Sequence, residues 1–212
     1  MSILFFDDRT EAARLLAEAL RPLGLQQPLV LGIPRGGVIL ADVIARELGG
    51  SMDVALARKI GAPGNPEYAI GAVNESGEVF LQPYAEQMAD ESYIKAEIGR
   101  QMQVIRQRRR DYRSVRPKEP LKGRDVVLVD DGIATGSTME ASLTAVLAEE
   151  PNRVVIAVPV APPDTVERLR RRAEVVALST PPGFVAVGAY YRNFPQVSDE
   201  DVVEILKKQA LE

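Results

Sequence analysis

The feature that most constrains this chain is an alternation. Short, uninterrupted apolar runs, each bounded by Gly, Pro or charge, are separated by stretches with helical spacing. The runs are Leu29 to Ile33, Val54 to Ala57, Val126 to Val129, Val154 to Val160 and Val175 to Leu178. A run apolar at every position has no face for water, so each reads as a strand buried on both sides. Between them the spacing predicts helices over Gly37 to Leu48, about Ala85 to Tyr112, Ser137 to Glu150 and Asp164 to Arg172, with stops at Gly49 and Pro151. Strand and helix in alternation imply a parallel sheet with helices on both faces. Asp8 and Glu11, followed by Ala12, Leu15, Leu16, Ala19 and Leu20, predict a capped amphipathic helix stopped by Pro22. Tyr68 to Val73, NESG, then Glu78 to Leu81 predict a hairpin added to the sheet. At 212 residues, the chain fits one elaborated α/β domain over 1–212.

Two absences narrow the chemistry. The chain has no cysteine and no histidine, which removes disulfides, thiolate or imidazole zinc sites, and Ser-His-Asp or Cys-His catalysis. The work must fall to Asp, Glu, Lys, Arg, hydroxyls and backbone. A net charge of −4 argues against attraction to nucleic acid or anionic membrane. Residues 95–124 nevertheless hold eleven basic residues against three acids, so any polyanion contact is local; a solvated helix face explains the same run. No signal peptide or bilayer-length apolar run is read, so a cytoplasmic protein with no membrane partner is expected.

The informative segment is VVLVDDGIATGST, Val126 to Thr138. A buried strand delivers Asp130 and Asp131 at its carboxyl end, where open α/β sheets bind ligands. The loop Gly132, Ala134, Thr135, Gly136, Ser137 and Thr138 then enters a helix, offering backbone N–H groups and hydroxyls to a phosphate. Carboxylates beside a phosphate need something else to face, either a divalent cation or sugar hydroxyls, and a phosphorylated sugar supplies both demands. Three other readings compete: a turn-capping Asp131, a Walker-B carboxylate and a receiver-domain acidic pocket. The chain contains neither Gly-Lys nor G-x-G, which removes P-loop and Rossmann frames. A receiver's acidic pair closes its first strand, whereas here strands precede the pair.

This segment resembles the 5-phosphoribosyl-1-pyrophosphate (PRPP) binding motif of type I phosphoribosyltransferases. The resemblance implies that fold, a parallel sheet flanked by helices, with a small C-terminal hood near 180–198 joined by helix 8–21. It implies that Asp130 and Asp131 hold ribose hydroxyls and act on Mg2+ indirectly, through PRPP or water, and that Ala134 to Thr138 holds the 5′-phosphate. GIPRGG, Gly32 to Gly37, is similar to the family's pyrophosphate loop, with Arg35, Gly36 and Gly37 toward pyrophosphate and a cis peptide between Pro34 and Arg35. ARKIGAPGNPEYAIG, Ala57 to Gly71, begins as a strand and breaks into a polar loop; it is similar to the family's mobile catalytic loop, with Arg58 and Lys59 at the strand end.

The implied reaction displaces pyrophosphate from ribose C1 by a ring nitrogen of a base, and without histidine the proton must pass to a carboxylate or stay with substrate. Hypoxanthine-guanine members carry an Asp where this chain has Ala134. Adenine-type members share Ala and use a loop Glu, for which Glu67 is the candidate. Yet PPGFVAVGAYYRNFP, Pro181 to Pro195, resembles the base cover of 6-oxopurine members, with Phe184 at the stacking place, while their lysine is missing from 158–162. The acceptor is left as a purine-like base. A homodimer is implied by the family. The competing function is a non-catalytic protein of the same fold that senses PRPP or a nucleotide.

Overall fold

The computed structural model describes residues 4–209. Helix α1 (Arg9–Leu20) leads through a 3₁₀ turn into β1 (Leu29–Gly32), α2 (Gly36–Leu48) and β2 (Ser51–Val54). After an antiparallel excursion, β3 (Ala57–Ala62), β4 (Asn65–Asn74) and β5 (Val79–Leu81), come α3 (Ala85–Met88) and α4 (Glu91–Arg113). The second half alternates β6 (Asp125–Val129), α5 (Ser137–Ala148), β7 (Arg153–Val160), α6 (Pro163–Arg170) and β8 (Glu174–Ser179), and ends with α7 (Asp199–Gln209). Five strands in the order β2-β1-β6-β7-β8 form a wholly parallel sheet.

The strand period of two sorts each buried run between two cores. Val30, Val127, Val129, Val155 and Ala157 face Leu16, Leu20, Leu40, Ile44, Val202 and Leu206 from α1, α2 and α7. Their neighbours Leu29, Leu31, Val126, Leu128, Ile156 and Val158 face Met139, Leu143, Val166 and Leu169 from α5 and α6. The runs in β1, β6 and β7 are buried on both faces as expected and the run in the edge strand β8 is only partly so, whereas the expected strand Val54 to Ala57 is the link from the end of β2 at Val54, through Ala55 and Leu56, to the start of β3 at Ala57.

The structure corrects three further sequence expectations. The predicted hairpin does not extend the parallel sheet; with β3 it makes a separate antiparallel sheet, β3-β4-β5. The segment expected to run from a strand into a broken loop after Ala57 is a ribbon that turns at Pro63 and Gly64, because Asn65 to Asn74 pairs back along β3. The single helix expected from Ala85 to Tyr112 is two, since Ala89 is extended and Asp90 starts α4 by accepting the Tyr93 N–H. Helix α7 has no counterpart among the sequence expectations, though Ser198 and Asp201 cap its start reciprocally.

Helix α4 is locked to the sheet by a buried charge network. Arg113 donates to Asp53 at 2.6 Å and to Glu75 at 3.1 Å, and Asp53 is 1% exposed. Burial pushes the Asp53 carboxyl up despite Arg113. Arg113, against the burial that would lower it, is held above its ordinary value by Asp53 and Glu75. Such a cluster adds little over an apolar replacement but is costly to break. Arg113→Ala is expected to remove about 3–5 kcal/mol of unfolding free energy, read from urea denaturation; a loss under about 1 kcal/mol would put it with surface pairs.

Candidate active site

Strands β1 and β6 are parallel neighbours in register, Gly32 opposite Val129, so the loops that leave their carboxyl ends emerge side by side. The Ile33 N–H continues the ladder by donating to the Val129 carbonyl at 2.9 Å. Next, the glycine turn backs directly onto the acid pair. A Cβ on Gly36 would fall on Asp131 Oδ2, and one on Gly37 would lie 2.6 Å from the Val129 carbonyl oxygen and 3.2 Å from Asp130 Oδ1. Only hydrogen fits at these positions. The Pro34–Arg35 peptide between them and β1 is cis, as the resemblance implied.

The two carboxylates differ in environment. Asp131 takes a hydrogen bond from Arg9 Nε at 2.8 Å. Arg9 also donates to the Pro195 carbonyl at 2.8 Å and lies 3.9 Å from the centre of the Phe194 ring. The Tyr191 hydroxyl donates to the backbone oxygen of Asp131 at 2.6 Å, and burial, reinforced by the Asp131 charge, raises the phenol. Asp130 accepts the Asp131 N–H at 2.8 Å. Burial and then the charge of Asp131 push the Asp130 carboxyl well above the usual range. One carboxylate is thus pinned and ion-paired, while the other is poised to take or share a hydrogen-bond proton.

Beyond them the chain crosses to β7, where the Ile133 N–H donates to the Val160 carbonyl at 2.9 Å. It then turns into α5 through Gly136, whose φ of 81° is left-handed. The first-turn N–H groups of α5 have no acceptor within the helix and point into the loop. Thr135 and Ser137 hydroxyls lie 3.0 Å apart there. The loop is gripped from outside: Thr165 donates to the Ala134 carbonyl at 3.1 Å, and Arg168 to that of Thr135.

The ribbon supplies cations. Lys59 Nζ donates to Ser137 Oγ at 3.2 Å and pairs with Glu67 at 2.8 Å, so Lys59 meets the hydroxyl loop directly and Glu67 is joined to it through Lys59. Glu67 lies on β4 and is 64% exposed. Arg58, on the opposite side of the strand, turns to Gln101 of α4 at 2.9 Å. Arg58, Lys59 and Thr138 share a cleft of about 200 Å³ with Glu97 and Gln101. Arg35 points away from the acids, 4.0 Å from Asp199. Phe184 stacks on Tyr190 at 5.5 Å, and Phe5 lies on that same ring at 6.0 Å. The 180–198 stretch holds one 3₁₀ turn, Val187–Tyr190, and is zipped to the N-terminal segment through Phe6 and Tyr190. Helix α1 itself lies in the helical layer of the sheet.

Arg9, Tyr191, Thr165 and Arg168 are site residues that sequence reasoning misses. Arg9 is separated from Asp131 by 122 positions, and within an amphipathic helix it looks like any polar residue. Helical spacing does place it one turn before Ala12 and Ala13, which gives the only local hint that it faces inward.

An acid pair closing one parallel strand, a glycine turn closing its neighbour and a hydroxyl loop entering the next helix define a phosphoribosyltransferase-type site. Residues 8–192 match the phosphoribosyl transferase domain family, and the chain belongs to it. It is 62% identical to the protein TT1426 of Thermus thermophilus, whose crystal structure superposes with a TM-score of 0.93, covering 97% of this chain and 99% of that one. A provisionally named phosphoribosyl transferase of Mycobacterium tuberculosis is 42% identical over 96% of this chain. This chain spans 46% of that relative, about half the length of the curated proteins it matches. An adenine phosphoribosyltransferase from Leishmania tarentolae, 16% identical with a TM-score of 0.50 over 88% of this chain and 76% of that one, shares the fold.

Gly36→Ala is expected to displace the Asp131 carboxylate and open its bond to Arg9, at a cost of about 1–3 kcal/mol typical of overpacking. A thermal melt unchanged from wild type would mean that the close approach is not needed.

Proposed function

We propose that this site carries out Mg2+-dependent transfer between PRPP and a purine-like nitrogenous base, releasing pyrophosphate. The observation that carries the reading is the back-to-back contact of Gly36 and Gly37 with Asp131 and Asp130. It supports the reading by placing the glycine turn directly against the acid pair, so that one ligand can touch both.

In this reading the 5′-phosphate occupies the Ala134 to Thr138 loop, held by first-turn N–H groups, by Thr135 and Ser137, and by Lys59 across the cleft. Ribose hydroxyls donate to Asp130 and Asp131. Arg9 holds Asp131 in place, and Asp130 takes the hydrogen bond at a carboxyl whose proton affinity is raised. Pyrophosphate lies on Gly36 and Gly37 with Arg35 and Arg58 as its cations. The C1–O bond to pyrophosphate breaks with its electron pair leaving on oxygen, the C1–N bond to the base forms, and the displaced N–H proton passes to Glu67 or to solvent. Phe184 within the 180–198 hood offers a stacking surface to the base. Closure of the β3–β4 ribbon through Lys59 and Glu67 excludes water from a reactive C1.

Among the described residues no three Asp, Glu, His or Cys side chains converge as a metal cage. Mg2+ keeps waters and is held by one or two carboxylates together with substrate phosphates, and the adjacent Asp130 and Asp131 are carboxylates of that kind. Asp130 and Asp131 would contribute through the sugar or water, and the ion would neutralise charge on the departing pyrophosphate. No helix of the described residues is long and apolar enough to cross a membrane; a cytoplasmic homodimer is the arrangement we propose.

Titration calorimetry of PRPP with and without Mg2+ tests this. Wild type is expected to bind only with Mg2+, and the Asp130→Asn/Asp131→Asn double variant to lose at least about 100-fold, near 2.7 kcal/mol. A panel of bases then names the acceptor by pyrophosphate release. Absence of PRPP binding under every condition overturns the proposal, and binding without turnover on any base replaces the enzyme with a sensor. Lys59→Ala should lower kcat by about 10²-fold or more, the scale of a lost electrostatic contact in the transition state, with a smaller loss of PRPP affinity.

A further inference from the structure

We propose that Arg108 of α4 is a further ligand of the pyrophosphate group, and that the Asp199 carboxylate holds its place in the ligand-free chain. The inference rests on the reading of Gly32 to Gly37 as the pyrophosphate turn. It starts from an imbalance of charge at the far side of that turn. Arg108 Nε donates to Asp199 Oδ1 at 3.1 Å, and Arg35 Nη1 lies 4.0 Å from Oδ2 of the same carboxylate. The Tyr112 hydroxyl also donates to Asp199. A single carboxylate at the first residue of α7 thus collects donors from α4 and from the turn that begins α2.

Arg58 adds a third guanidinium. Its donor to Gln101 meets a neutral acceptor, and it forms no ion pair among the described residues. Burial, then the charge of Arg108, lowers it. Pro34, Arg58, Arg108 and Thr138 line one small cleft, which joins the glycine turn to the first turn of α5. Cations therefore run in an arc from Lys59 at Ser137, through Arg58 and Arg108, to Arg35. Facing the three arginines are Asp199 and, more distantly, Glu97.

Guanidinium groups bind carboxylate and phosphate oxygens with the same planar fork. Arg108 is 16% exposed, while the Asp199 side chain is 36% exposed and can swing to water. A pyrophosphate seated on Gly36 and Gly37 would present to Arg35 and Arg108 the oxygens that Asp199 presents in its absence. It would bring more negative charge to an arc that carries an excess of positive charge. Arg108 then touches the leaving group, and Asp199 is the competing anion that pyrophosphate displaces from Arg35 and Arg108.

The test is calorimetry with two probes, Mg2+-pyrophosphate and ribose 5-phosphate, on wild type, Arg108→Gln, Arg108→Lys, Asp199→Asn and Asp199→Glu, each checked for an intact thermal transition. Arg108→Gln should weaken pyrophosphate about tenfold, near 1.4 kcal/mol, and leave ribose 5-phosphate within about twofold. Arg108→Lys should fall between, since it keeps the charge and loses the fork. Asp199→Asn should tighten pyrophosphate several-fold because a competing anion is gone, and Asp199→Glu should return it toward wild type. Pyrophosphate binding indifferent to Arg108→Gln, or both probes weakened alike, overturns the role of Arg108. Weaker pyrophosphate binding in a folded Asp199→Asn overturns the place-holding role. Failure of ribose 5-phosphate to bind wild type would sink the reading of the hydroxyl loop, while an Arg108-dependent pyrophosphate site would stand.

Discussion

The parallel pairing of β1 with β6 is the constraint on which the rest of the site depends. Two strands side by side and pointing the same way must release their following loops at one edge. Here one loop is glycine-rich and the other begins with two carboxylates. The contact between them is closer than any side chain permits. The glycine turn and the acid pair are consequently held on one edge whose backbone is fixed by the sheet ladder, with Arg9 pinning the Asp131 carboxylate. A site built in this way is preorganised, because its spacing is that of the sheet itself.

Around that edge, three parts of the chain distant in sequence act as clamps. Arg9 reaches Asp131 from α1 and ties it to Pro195 and Phe194. The α6 residues Thr165 and Arg168 hold the carbonyls of the hydroxyl loop. The ribbon brings Lys59 to Ser137. The Arg9 clamp ties the sheet edge to α1 in one core, and the α6 clamp ties the hydroxyl loop to its neighbour helix in the other, so the site draws on both cores. The Asp53–Arg113–Glu75 network likewise ties α4 to the sheet, and places Arg108 five residues before Arg113 on the helix.

The legible part of this architecture was the part written in local period. Uninterrupted runs such as Val126 to Val129 admit no solvent face, so their burial and parallel pairing follow from composition alone. The acid pair and the hydroxyl loop were legible for the same reason, being adjacent in sequence. The ribbon was misjudged because Gly61, Pro63, Gly64 and Pro66 look like loop punctuation. Register shifts between Ile60 and Ala62 absorb the irregularity while the strands continue to pair. The clamps were not legible, since an arginine that meets its carboxylate across 122 positions leaves no periodic trace.

The charge layout follows from these placements. The chain is acidic overall, with a net of −4, yet its site carries Lys59 at the hydroxyl loop and Arg35 on the glycine turn beside the Asp130–Asp131 pair. For a substrate that is a neutral ring between two phosphate groups, this polarity is the required one: cations at both ends and carboxylates beneath the sugar. In the proposed reaction the same carboxylates would stabilise positive charge developing on the ring as pyrophosphate leaves, and the cations would stabilise the departing anion. Histidine is not required, because the sheet edge supplies both signs of charge at fixed separation. The remaining demand is a proton acceptor for the incoming base. In the proposed transfer, the exposed Glu67, held to Lys59 at 2.8 Å on the ribbon, is the acceptor we propose.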